Sequence, residues 1–296
     1  MKKETKAIVY AIDGDRFYQQ LAFISLFSLM KKCENDITVY LMFEPGYKME
    51  ESAVDILYNI AKVNRKVAIS CFSIPMKYNK LVKATGECTH LGKMCCARFF
   101  IPMVLPDVHQ CLYLDTDTLF LKDPIPILNS FCNDGNAMAS TAGVLDPVRY
   151  FKKTEFYTGM TWYVNGGSLL MDLDLWRTRE IGQRLLFDTL TENRTFNDQD
   201  SLNLLERPIP MPESLNFISN WCKYFKDVSA YNYFYGTKYG SMDEVVDDMC
   251  ILHYVGESKP FKDVGGDKPV PAKMKRMFEQ YSSVYGEYLV TTKQAG

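Results

Sequence analysis

The chain lacks a surplus of either charge: 34 lysines and arginines nearly cancel 36 aspartates and glutamates, for a net charge of −2. Nothing in that balance argues for nucleic acid as the main partner. It has no C-x-x-C pair, its nine cysteines are an odd number, and Cys95 and Cys96 are adjacent. Such usage suits neither a disulfide framework nor a zinc site, so reduced thiols in an intracellular compartment are expected. Long apolar runs are missing too: the longest, "LAFISLFSLM", has ten residues, about half a membrane span. The apolar run before Asp13 is too short for a signal-peptide core, and a soluble, cytoplasmic chain is expected. No repeat of about 20–50 residues and no low-complexity segment occurs. What is plentiful is apolar and aromatic side chain, 47% and 14% of 296 residues, enough for the core of one large α/β domain or two small ones.

"AIVYAI" (7–12) is a continuous apolar run with β-branched and aromatic members, as a buried parallel strand requires. A long apolar helix ending in lysines follows it. "DITVYLMF", "MEESAVDILYNIAKVNRK" and "VAISCFSI" then read as strand, amphipathic helix and strand. This rhythm predicts a parallel sheet with right-handed crossovers. "LGKMCCARFFIPMVLP" reads as helical up to Pro102, "NAMAST" and "YVNGGSLLMDL" as strands, and "DLWRTREIGQRLLFDTLTEN" as one helix. "NDQDSLNLLE" begins another, capped by Asn197 or Asp198. After a linker-like stretch (262–273), Met274, Met277, Phe278, Tyr281, Val284, Tyr285 and Tyr288 mark one face of a last helix.

In "CLYLDTDTLFLKD" (111–123) an apolar run ends in two aspartates one residue apart. Two carboxylates at the end of a buried strand are costly without a cation. On an extended segment, residues two apart share a side, so Asp115 and Asp117 face one ion and Thr116 turns away. Hard oxygens, completed by water and phosphates, suit Mg²⁺ or Mn²⁺. Three readings stand: an ordinary strand-end turn, a dehalogenase-like phosphatase with an attacking Asp, or a metal-dependent glycosyltransferase of GT-A type. Leu119, where the phosphatase motif has Thr or Val, speaks against the second.

The remaining motifs favour the third. "LGKMCCARFFIPMVLPDVHQCLYLDTDTLFLKD", "YVNGGSLLMDLDLWR", "NDQDSLN" and "ILHYVGESKPF" occur in this order, and together they closely resemble glycosyltransferase family 8. The likeness runs from about Ala7 to Phe261. It implies a GT-A fold: a Rossmann-like nucleotide-sugar-binding domain over 1–261 with a mostly parallel sheet flanked by helices. A linker and helix (262–296) are then packed on it or appended to it.

The resemblance also assigns roles. Asp115, Asp117 and His253 match the ligands of a Mn²⁺ ion, with Mg²⁺ possible; the alternative for His253 is a hydrogen-bonded core histidine. Gly256 and Lys259 match the segment that meets the pyrophosphate; Lys259 could instead be a solvated lysine. Arg98 matches the family's arginine before the D-x-D strand, expected to reach the donor sugar or phosphate, though Cys95 and Cys96 stand where an aromatic is usual. Asp13 and Asp15 match the uridine and ribose end of the first strand, with Phe17 or Tyr18 stacking on the base. Thr116 and the turn Asn165, Gly166, Gly167 complete the donor-binding set. Asp198 matches a ligand of donor hydroxyls, and Gln199 lies opposite the leaving group. Asp200 is a weaker candidate nucleophile than same-face substitution is a mechanism.

The implied activity is retaining transfer of galactose or glucose from a UDP-sugar to a saccharide, glycolipid or glycoprotein acceptor. Self-glycosylation, as in glycogenin, and donor binding without transfer are the alternatives. The aromatic stretch 221–240 is either an acceptor platform or core packing. The basic residues Lys262, Lys268, Lys273, Lys275 and Arg276 leave membrane contact open.

Overall fold

The structure, a computed structural model, describes residues 4–89, 94–131, 135–143, 163–192, 196, 198–220, 225, 227–256, 259–260 and 271–294. Asn197, Lys262, Lys268, most of the linker and residues 221–224 lie outside this set. The first half follows the expected rhythm: β1 (Ala7–Ile12), α1 (Arg16–Lys32), β2 (Ile37–Phe43), α2 (Glu51–Ala61), β3 (Val67–Ser73) and α3 (Asn79–Thr89). Next come a 3₁₀ turn (Ala97–Phe100), α4 (Ile101–Val104), β4 (Gln110–Leu114), β5 (Thr118–Phe120) and α5 (Ile125–Ser130). Then follow β6 (Met138–Ser140), β7 (Ala142–Gly143), β8 (Tyr163–Val164), β9 (Ser168–Asp172), α6 (Leu173–Thr178) and α7 (Ile181–Thr191). The last described elements are α8 (Asp198–Ser201) running into a π turn (Leu202–Glu206), β10 (Ile209–Pro210), β11 (Phe217–Ile218), α9 (Val228–Tyr235), α10 (Met242–Asp248), β12 (Ile251–His253) and α11 (Ala272–Gln294).

Among the described residues the main sheet has seven strands in the order β10-β6-β9-β4-β1-β2-β3. β1 pairs in parallel with β2 and β4, and β2 with β3; β9 runs antiparallel to both neighbours. Apolar clusters lie on both faces, one containing Phe27, Phe43 and Tyr254, the other Phe99, Tyr113 and Trp176. That two-sided burial explains why β1 and β4 read as unbroken apolar runs. A second sheet, β11-β12-β5, stands apart. Its β12 pairs in parallel with β11 and antiparallel with β5, setting His253 opposite Thr118.

α1 fits between the two sheets, which is why Leu21–Met30 is buried on every side. Two serines seat it. Ser25 Oγ lies 2.9 Å from both Tyr10 Oη and Thr118 Oγ1, and Ser28 Oγ accepts the Phe120 N–H at 2.9 Å.

Four expectations need correction. Of the stretch before β4, the described residues are helical only over 97–104, and the helix runs on past Pro102 because proline in the first turn of α4 loses no intrahelical bond. The single helix expected after β9 is two, broken where Glu180 takes a left-handed φ of 52°. Asp198 is the first residue of α8 rather than its cap. On α11, Met274, Phe278 and Tyr285 enter the core as expected, but Val284 is 42% exposed; the side chain of Tyr288 lies outside the described set. No helix among the described residues is long and apolar enough to cross a membrane.

Candidate functional site: a metal and sugar-nucleotide centre

The D-x-D segment is the link between the two sheets. β4 ends at Leu114 in the main sheet, and β5 begins at Thr118 in the small one. The expected extended triplet is therefore a bend, with Asp115 N–H donating to Gly167 O (2.8 Å) and Tyr254 N–H to Asp117 O (2.9 Å). Both carboxylates still converge on one point. His253 Nε2 lies 3.2 Å from Asp117 Oδ1 and 3.8 Å from Asp115 Oδ2. Its Nδ1 meets Asn216 Oδ1 at 2.8 Å, and the buried Nε2 has no hydrogen-bond partner. An orphaned imidazole nitrogen facing two carboxylates fits a divalent cation.

Positive charge surrounds this point. Lys259 Nζ pairs with Asp117 Oδ2 and donates to Tyr254 O at 2.7 Å. Burial would push the Asp117 carboxyl up, but the Lys259 ammonium overrules it and holds the group well below the usual carboxylate range. Arg98 is buried and spans the site. Its Nη1 donates to Gly166 O, its Nε to Cys95 O (3.1 Å), and its guanidinium lies 4.7 Å from the Tyr113 ring centroid. It also stands 3.4 Å from Asp115 and 3.3 Å from Asp198. The Asp198 Oδ2 is buried without a hydrogen-bond partner. Its carboxyl is pushed up to about 6 by burial, against Arg98 and with help from the Asp115 charge.

The Asn165–Gly167 turn faces the cluster of Asp115, Asp117 and His253. A Cβ at Gly167 would overlap the His253 ring and the Asp115 carboxylate, so the backbone approaches the cluster as only glycine allows. Gly167→Ala is expected to lower metal affinity at least about tenfold and stability by about 1–3 kcal/mol, read by manganese titration and thermal unfolding. Wild-type values for both would contradict the packing.

Behind the turn runs a chain of amides. Asn216 Nδ2 donates to Asn165 Oδ1 (3.1 Å), Asn165 Nδ2 to Gln199 Oε1 (3.1 Å), and Gln199 Nε2 to Tyr163 Oη (3.1 Å). Tyr163 Oη donates to Asp200 Oδ1 (2.7 Å), while Asp200 Oδ2 accepts the Phe196 N–H (2.8 Å).

The first strand's end is looser. Parallel pairing of β1 with β4 puts Asp13 on the same sheet edge as the D-x-D bend. Asp15 caps α1, accepting the Phe17 N–H at 2.7 Å. Phe17 packs on the core and Tyr18 is 40% exposed. Thr116 is buried within the bend. Gly256 has a φ of 94°, which favours glycine.

Sequence reasoning missed Asn216, Tyr113 and Tyr163, all within hydrogen-bonding distance of expected site residues. Tyr113 and Tyr163 left a signal, each two residues before an expected site residue (Asp115 and Asn165), and Asn216 left none. Tyr47, stacked on Phe43 at 4.8 Å and close against Gly14, was missed too.

Known proteins share this architecture. The family model "Glycosyl transferase family 8" matches residues 7–265. Lipopolysaccharide glucosyltransferase WaaO of Escherichia coli is 28% identical over 54% of this chain and 46% of its own length. Glucoside xylosyltransferase 2 of Xenopus laevis is 27% identical over 57% of this chain and 44% of its own. The chain thus spans about half the length of these curated relatives. Galactosyltransferase LgtC, solved with donor and acceptor sugar analogs, superposes with a TM-score of 0.69 at 18% identity, over 94% of this chain and 95% of that one. GlyE of Streptococcus pneumoniae gives 0.65 at 18% identity, over 98% of this chain and 64% of its own. The architecture is the GT-A fold of these enzymes, and the chain belongs to glycosyl transferase family 8.

Proposed function

We propose that the chain is a metal-dependent, retaining hexosyltransferase that moves galactose or glucose from a UDP-sugar to a glycan or glycolipid acceptor, forming an α-linkage. The observation that carries this reading is the convergence of Asp115, Asp117 and the unpartnered His253 Nε2 beside the Asn165–Gly167 turn. Those three residues would hold the ion, and a mixed nitrogen–oxygen donor set suits Mn²⁺, with Mg²⁺ as the lesser choice. The bound ion supplies Lewis-acid charge to the departing diphosphate.

The chain's own groups divide the remaining work. Lys259 and Arg98 bring positive charge to the diphosphate side, and Gly256 lets the backbone come close to it. Asp198 Oδ2, buried and without a hydrogen-bond partner, accepts hydrogen bonds from donor-sugar hydroxyls. The Gln199 amide holds Asn165, the Gly166 N–H and Tyr163 at once, and an amide so engaged is a poor nucleophile. Each Asp200 oxygen already accepts a hydrogen bond. Both facts favour same-face substitution, in which the departing phosphate oxygen takes the acceptor's proton, over a covalent glycosyl-enzyme. Asp13 and Asp15, with Phe17 or Tyr18, bind the nucleoside.

For the acceptor, α9 offers Tyr233, 93% exposed, and Phe234, while Tyr235 Oη donates to Ala142 O (2.7 Å) close to the sugar turn. Phe225 and Tyr231 of the same stretch are core. An exposed tyrosine there also favours, as a second reading, self-glycosylation. A catalytic domain over 1–261 in a reducing, cytoplasmic compartment belongs to the same proposal; the free thiols support it.

The test is a panel of UDP-galactose, UDP-glucose, UDP-N-acetylglucosamine and UDP-xylose with Mn²⁺, with and without EDTA. UDP release and intact mass are followed together. Release confined to one sugar and abolished by EDTA is expected; a mass increase marks self-glycosylation. Absence of both UDP release and calorimetric donor binding would overturn the reading, and phosphate release alone would make the chain a phosphatase.

A further inference from the structure

The amide chain behind the sugar turn has a direction, and its fixed groups set it. The Asp200 carboxylate only accepts, so Tyr163 donates to it and receives the Gln199 NH₂. That turns Gln199 Oε1 toward the turn, where the Gly166 N–H, which can only donate, meets it at 2.9 Å. Asn165 must then offer its NH₂ to Gln199, and its Oδ1 receives the Gly167 N–H at 3.0 Å. The same Oδ1 faces Asn216, so Asn216 points its NH₂ that way and its Oδ1 toward His253 Nδ1. Two backbone N–H groups and one carboxylate therefore fix every flip in the series, independently of how any one amide is placed. The last consequence falls on the imidazole: Nδ1 carries a proton, so the neutral ring turns its Nε2 lone pair to Asp115 and Asp117.

We infer that Asn216 is a positioning residue that locks His253 in its Nδ1–H tautomer and ties that tautomer, through Asn165, to the sugar turn and Gln199. The alternative tautomer would set Nε2–H 3.2 Å from Asp117 Oδ1, off the line of a good hydrogen bond, and leave Nδ1 without its proton. In that form the nitrogen facing the carboxylates carries a proton and cannot bind a cation. Asn216 removes the competition by leaving Nδ1–H the better-satisfied state. Both residues are fully buried, so water does not replace the amide.

This inference rests on the metal reading of Asp115, Asp117 and His253, but its first readout does not. The chain has three histidines, so ¹⁵N NMR of the imidazoles of the metal-free protein resolves His253. The wild type is expected as the Nδ1–H tautomer, and Asn216→Ala as predominantly Nε2–H. Asn216→Asp keeps an acceptor for Nδ1–H and removes the donor to Asn165, so it retains the wild-type tautomer. By electron paramagnetic resonance of free Mn²⁺, Asn216→Ala should bind the ion about 10–100-fold more weakly, and Asn216→Asp within about threefold of wild type. Wild-type tautomer and affinity in Asn216→Ala would overturn the inference. If that variant does not fold, an Nε2–H His253 in Asn216→Asp overturns it and an Nδ1–H His253 supports it. A wild type that binds no Mn²⁺ but shows Nδ1–H defeats the metal reading and leaves the positioning role standing.

Discussion

If Asp117 is the ligand proposed, Asp117→Ala is expected to abolish metal binding and to lower metal-dependent UDP release by at least about a thousandfold. Changes behind a metal ligand already cost about 10–100-fold, and this change removes a ligand along with charge stabilisation of the leaving group. It also leaves Lys259 nearly buried with, among the described residues, the Tyr254 carbonyl as its remaining partner. Breaking a buried pair from one side costs about 3–5 kcal/mol. Asp117→Asn separates the two effects: an amide oxygen still accepts from Lys259, so most stability returns, while metal affinity stays low. Manganese titration, UDP release and thermal unfolding in EDTA read the three quantities. Metal-dependent release within tenfold of wild type in Asp117→Ala would end the assignment of Asp117 as a ligand.

Arg98→Ala is expected to lose about 3–5 kcal/mol of stability and nearly all donor affinity. The guanidinium is the one group touching Cys95, Gly166, Asp115, Asp198 and the Tyr113 face together. Without it the Gly166 carbonyl loses its donor and Asp198 loses the cation that opposes its burial. The Asp198 carboxyl, already near 6, then rises further and is largely protonated at neutral pH. Arg98→Lys keeps the charge without the planar fork, so it should fall between wild type and Ala in both urea unfolding and calorimetric donor binding. A stability loss below about 1 kcal/mol in Arg98→Ala would show that the surrounding groups find other partners.

β1 was legible because a parallel strand buried on both faces is a run of apolar residues, and "AIVYAI" needs no partner to be read. The aspartate pair was legible for the opposite reason, as charge where burial forbids it. What the sequence hid was pairing across long distances. β5 is three residues long and follows β4 so closely that the two read as one strand; only β12, far along the chain, draws β5 into the other sheet. Asn216 sits outside any periodic pattern, and its place beside His253 exists only because β11 pairs with β12. The break at Glu180 was hidden because apolar residues keep helical spacing across it, while a left-handed non-glycine residue leaves no mark in composition. Roles implied by the family likeness were most definite where four ordered motifs supplied a residue, and least at the base-stacking position, where Phe17 and Tyr18 stood as alternatives.

The two-sheet construction also places the site in time. β4 with Asp115 and Asp117 leaves the ribosome long before β12, and Lys259 meets Asp117 across 142 positions of sequence. Closing so long a span is slow compared with forming neighbouring strands. A nascent chain therefore holds its aspartates with neither His253 nor Lys259 to accompany them, and cannot bring Asp115, Asp117 and His253 together until β12 has been made.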